Sequence, residues 1–129
     1  MKQTLAFAAL LFLAAADPRQ PLFGHWTGTS VCTGVRPACH DETASYWVKA
    51  GKKPDIVTID AGKIVDGKDV LMGTLDFQVD FATRTLTSVS ESGGSRATWT
   101  FTWSSTAMTG TAKASDGQVF RNIRLTKKE

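Results

Sequence analysis

Two stretches decide how this chain folds: Thr74-Leu75-Asp76-Phe77-Gln78-Val79-Asp80-Phe81 and Ala97-Thr98-Trp99-Thr100-Phe101-Thr102-Trp103. In both, apolar and polar side chains alternate without a break. A β-strand sends successive side chains to opposite faces. Leu75, Phe77, Val79 and Phe81 therefore share one apolar face, and Trp99, Phe101 and Trp103 share another. Each stretch reads as a half-buried strand with one wet face.

Working outward, short alternating runs recur, divided by turn residues. Thr83-Arg84 turns, and residues 85–90 run back. Ser92-Gly93-Gly94-Ser95 is a strong turn before the second quoted stretch. Ser104-Ser105 leads into residues 106–112, Asp116-Gly117 is a hairpin signal, and residues 118–126 close the chain. Upstream, residues 24–33 form the first strand, with Trp26, Gly28, Ser30 and Cys32 on one parity. Residues 44–49 form the second, Gly51-Lys52-Lys53-Pro54 turns, and residues 56–60 form the third. Residues 62–73 stay open between a strand end, a hairpin, a short helical link and a lid. The total is about eight strands linked by local hairpins. The predicted fold is all-β, a small eight-stranded antiparallel up-and-down barrel, with a β-sandwich as the alternative. Closing a meander removes its exposed edges. An eight-stranded barrel has an interior that side chains fill or that holds one small ligand.

The N-terminus carries a different signal. Lys2 precedes an apolar run over residues 5–16, and Ala14 and Ala16 have the small-residue spacing of a cleavage site. The run is too short for a membrane anchor, which needs about 20 apolar residues. The chain is therefore divided into a signal peptide (residues 1–16), an extended N-terminal arm with Pro18 and Pro21 (residues 17–23) and one barrel domain (residues 24–129). It is expected in the periplasm or outside the cell, without stable membrane insertion. Cys32 and Cys39 then read as a disulfide. A metal site built from Cys32, Cys39, His40 and Asp41 is the rival, but it lacks familiar zinc spacings, so no metal is expected.

Composition narrows the function. The net charge of +3 includes Lys2, and Lys49, Lys52, Lys53, Lys127 and Lys128 form no phosphate-binding stripe, so no nucleic-acid partner is expected. The only histidines are His25 and His40. There is no G-x-S-x-G, no phosphate-cradling glycine loop and no H-E-x-x-H. The dense polar string His40-Asp41-Glu42 reads as backbone caps facing water. No catalytic residue, enzymatic activity or cofactor is therefore expected. The candidate ligand-binding residues are Phe77, Trp99, Phe101, Trp103 and Met108; Trp99, Phe101 and Trp103 read as core filling or a pocket lining if they face inward, and as a stacking platform if they face outward. Met108, Gly110 and Ala112 share a parity, which reads either as jigsaw packing or as room for a ligand.

Gly24-His25-Trp26-Thr27-Gly28-Thr29-Ser30-Val31-Cys32, followed by Cys39-His40-Asp41-Glu42, resembles the opening of a group of small exported bacterial barrel proteins without settled function. Lys63-Ile64-Val65-Asp66-Gly67-Lys68 and Met72-Gly73-Thr74-Leu75 are similar to the same group. Gly24-His25-Trp26 also resembles the G-x-W of lipocalin-like (calycin-type) barrels. That resemblance implies that Trp26 sits at a closed end under an arginine from the last strand, Arg121 or Arg124, in a cation–π contact. The chain is shorter than a typical lipocalin and lacks its C-terminal helix.

Two functions are expected from these observations. The first is a monomeric, non-enzymatic barrel that binds a small apolar or amphipathic molecule. The alternative is a protein-interaction module whose N-terminal arm enters a protease, since small exported metalloprotease inhibitors look similar in size and architecture. A structural protein of the envelope is a third choice.

Overall fold

The computed structural model describes residues 16–128. Apart from Ala16, the expected signal peptide lies outside the described residues. After a single 3-10 turn (Gln20–Leu22), the strands are β1 (Gly24–Cys32), β2 (Glu42–Ala50), β3 (Ile56–Val65), β4 (Lys68–Asp80), β5 (Thr85–Ser92), β6 (Ser95–Trp103), β7 (Ala107–Ala114) and β8 (Val119–Lys127). Each pairs antiparallel with the next, and β8 returns to β1, giving a closed up-and-down barrel rather than a sandwich. Among the described residues no helix is long and apolar enough to cross a membrane.

The open question over residues 62–73 resolves into a hairpin. β3 runs on to Val65, and Asp66 and Gly67 both take positive φ (51° and 76°), as a tight two-residue hairpin turn requires. Pairing slips between Ala61↔Gly73 and Gly62↔Leu71, so Met72 is the extra residue of a bulge.

Parity sets the interior. Trp26, Tyr46, Val48, Val57, Ile59, Phe77, Val79, Leu86, Phe101, Met108, Ile123 and Leu125 are buried together. Gly28 lets β1 close on β8, because a Cβ there would run into the carbonyl of Arg124 and the Leu125 backbone. Gly110 lies opposite Phe101, whose ring occupies the space a Cβ would need. The small parity of Met108, Gly110 and Ala112 is therefore jigsaw packing at Gly110. Phe81, expected on the apolar face of its strand, falls after the end of β4 and is exposed.

Two expectations at the base of the barrel are corrected. The arm is folded under the barrel instead of extended. Leu22 is fully buried, and its carbonyl accepts a hydrogen bond from Trp26 Nε1 at 2.9 Å. Arg19 donates to the carbonyls of Lys53 and Ile56, each at 3.0 Å, and pairs with Asp17 at 2.8 Å. The cation over Trp26 is not an arginine but Lys127, with Nζ 5.6 Å from the ring and bonded to the Pro21 carbonyl at 2.8 Å. The register explains this. Trp26 lies opposite Lys127, whereas Arg121 lies opposite Cys32 at the other end. Arg124 has the opposite parity to the buried Ile123 and Leu125 and is exposed.

Cys32 and Cys39 form a disulfide with a Cα separation of 6.0 Å. The Asp41 carboxylate caps the Cys32 N–H at 2.8 Å. The bond pins the loop that leaves β1, and it points to a non-cytoplasmic location.

Candidate functional site

The two ends of the barrel differ. At the base, Leu22 and Trp26 fill the interior. At the other end many of the inward positions are small: Ser30, Ala61, Gly73, Ser90, Ala97 and Ala112. Side chains of that size leave the upper interior unfilled. The result is a cavity of about 250 Å³, walled by Tyr46, Ile59, Leu75, Phe77, Trp99 and Phe101, with Glu42, Ser90 and Arg121 as its polar members.

The barrel is split beside this cavity. β4 and β5 pair only over Gln78↔Thr87, Val79↔Leu86 and Asp80↔Thr85, all near the base. Above these pairs the two strands diverge, and the cavity is lined by Gly73 and Leu75 on one side of the split and Ser90 on the other. The end of the barrel is partly covered instead. A bulge between Ala112↔Arg121 and Lys113↔Val119 leaves Phe120 unpaired and buried. Phe120 packs edge-on against Trp99 (centroids 6.2 Å apart), and the Arg36 guanidinium lies 3.7 Å from its ring. The side opening is therefore the more direct way in.

Three of the five candidate residues meet here. Phe77, Trp99 and Phe101 line the cavity, and Phe101 packs edge-on against both Phe77 (5.7 Å) and Tyr46 (6.3 Å). Trp99 is held by a hydrogen bond from Nε1 to Ser90 Oγ at 3.1 Å. Met108 and Trp103 do not line it. Met108 is fully buried in the core, and Trp103 lies in a groove at the base with Pro18, Pro21 and Phe81. Their strand parity matches the cavity, but their height along the barrel does not.

The polar members were not legible as a site. Glu42, expected to face water, starts β2 on the inward parity and lines the cavity. Arg121 is mostly buried, and its guanidinium donates to Ser30 Oγ at 2.9 Å and to the His40 carbonyl at 2.9 Å. Its contact with Glu42 is looser, an ion pair at 3.5 Å. Burial pushes the Tyr46 hydroxyl pKa up to about 12, with nearby Glu42 adding to the rise and Arg121 opposing it. Tyr46 thus stays a neutral hydrogen-bond donor at ordinary pH.

A second polar cluster lies on the outer wall. The His25 ring stacks on Trp47 at 3.9 Å. His25 Nε2 lies 2.7 Å from Ser45 Oγ, which donates to Asp69 Oδ2 at 2.6 Å, so Nε2 is the donor to the serine. Trp47 Nε1 also donates to Asp69 Oδ2, at 3.2 Å. These bonds hold the Asp69 pKa below the usual carboxylate range. Ser45 is fully buried and engaged on both sides, so the cluster ties the β3–β4 hairpin to β1 and β2 and presents no free nucleophile. No family model and no curated protein matches this chain.

Proposed function

We propose that the protein is an exported, non-enzymatic barrel that holds a small amphipathic molecule in the cavity at the open end. The observation that carries this reading is the unfilled interior itself, with aromatic walls and a few polar groups, Glu42, Ser90 and Arg121, among its lining. Pockets of this kind bind through apolar contact and use a few fixed polar groups for orientation. The size sets a limit. An apolar cavity of about 150 Å³ holds benzene, so about 250 Å³ suits a ligand of one or two rings. The leader-like residues 1–16, with cleavage near Ala16, support a periplasmic or extracellular site of action, and the G-x-W opening supports kinship with lipocalin-like binding barrels. The inhibitor alternative draws no support from the arm, because Leu22 must leave the core before the arm can reach a protease.

Titration with a small hydrophobic probe is expected to shift the tryptophan emission, and Trp99→Ala is expected to abolish the shift while the barrel stays folded. A titration that leaves the emission unchanged across small aromatic probes would overturn the reading.

A further inference from the structure

We infer that the ligand is a neutral, flat two-ring aromatic molecule carrying a hydrogen-bond donor, a hydroxyl or an N–H, that the Glu42 carboxylate accepts. This inference rests on the cavity being a binding site and adds the chemistry that the site selects.

The size and the walls define the ring system. The cavity is larger than one benzene ring requires, and Tyr46, Phe77, Trp99 and Phe101 surround it with aromatic faces and edges. Rings packed offset or edge-on against such walls gain beyond their buried area.

The polar groups define the rest. Glu42 and Arg121 are the charged members of the wall. The guanidinium of Arg121 is held by Ser30 and the His40 carbonyl, and its charge already faces the Glu42 carboxylate at 3.5 Å, so the pair is balanced before any ligand enters. Glu42 is the reverse case. It faces Arg121 at 3.5 Å, and among the described residues its carboxylate accepts no hydrogen bond. An ionised carboxylate is acceptor-only, with room for several donors. A ligand carboxylate would be repelled by it. A ligand cation would exceed the balance that Arg121 already provides. A neutral donor satisfies Glu42 at no charge penalty, and a charge-assisted bond of this type is about twice as strong as a neutral one. The Tyr46 hydroxyl, also without a protein partner among the described residues, adds a donor that a ligand hydroxyl or ring face can accept.

The test is calorimetric titration of the mature chain with three probes of one shape: naphthol, methoxynaphthalene and naphthoate. Naphthol should bind at least about tenfold more tightly than either of the others, the factor expected for one charge-assisted hydrogen bond. Glu42→Leu should remove that preference and leave methoxynaphthalene binding within about twofold, because the aromatic walls are untouched. Tyr46→Phe should preserve the preference and lower overall affinity slightly, which keeps the question answerable if Glu42→Leu folds poorly. Equal binding of naphthol and methoxynaphthalene, or tighter binding of naphthoate, overturns the inference while the cavity remains a binding site. Failure of all three probes to bind overturns both.

Discussion

The base and the open end of this barrel are made from the same eight strands, yet one is packed solid and the other is hollow. At the base, the folded arm supplies Leu22 beneath Trp26, and Arg19 and Lys127 lock it in place through backbone carbonyls. At the open end, small inward residues, a split between β4 and β5, and a looser ion pair leave a chamber. The difference teaches that the closure of the sheet and the filling of its interior are separate properties. Hydrogen bonds close the ladder, while side-chain volume at each height decides what is solid.

The comparison is broken most directly by cutting a tryptophan at each end. Trp26→Ala is expected to cost about 3–5 kcal/mol, as for other fully buried large-to-small changes, read by urea unfolding. Trp99→Ala, from a half-buried site against a chamber, should cost about 1–2 kcal/mol but remove ligand binding. Equal losses at both ends would dissolve the contrast. Replacing Cys32 and Cys39 with serine should cost about 2–3 kcal/mol, since the closed loop is short. Binding should weaken as well, because the His40 carbonyl at the end of that loop holds Arg121. Gly110→Ala sharpens the comparison further. The added methyl meets both the Phe101 ring, which borders the core and the chamber, and the Thr100 carbonyl, so the ring and the strand must both shift, at about 1–3 kcal/mol. A crystal structure of this variant is expected to show the ring moved into the cavity.

The smallest effect is on the outer wall. Asp69 has a depressed pKa in the folded state, so its stabilisation is present above the unfolded value of about 3.9 and is lost as pH falls through the lower folded value. It is mostly exposed, so Asp69→Asn is expected to cost less than about 1 kcal/mol at pH 7. The variant should lose less stability than the parent between neutral pH and pH 3, measured by thermal unfolding at stepped pH.

The strands were legible because alternation is local: Leu75, Phe77 and Val79 declare a face without reference to the rest of the chain. Phe77, Trp99 and Phe101 were legible as sharing apolar faces for the same reason, but parity does not say whether such a face fills a core or walls a cavity. Met108 and Trp103 share that parity, and only their height separates them from the chamber. Glu42 and Arg121 were harder. They are 79 positions apart in the sequence and meet because β2 and β8 both flank β1. The bulge that buries Phe120 beside Trp99 has no marker in residue type at all.

By itself, the sequence determined an all-β chain, most of its turns, its paired cysteines and the parity of its aromatic residues. Each follows from the identity of neighbouring residues and the two-residue period of a strand. The tertiary structure alone decided that the arm plugs the base, that Lys127 rather than an arginine covers Trp26, and that the upper interior is hollow. Those outcomes depend on the stagger between strands distant in the chain, which sets the height of every inward side chain, and no local pattern encodes height.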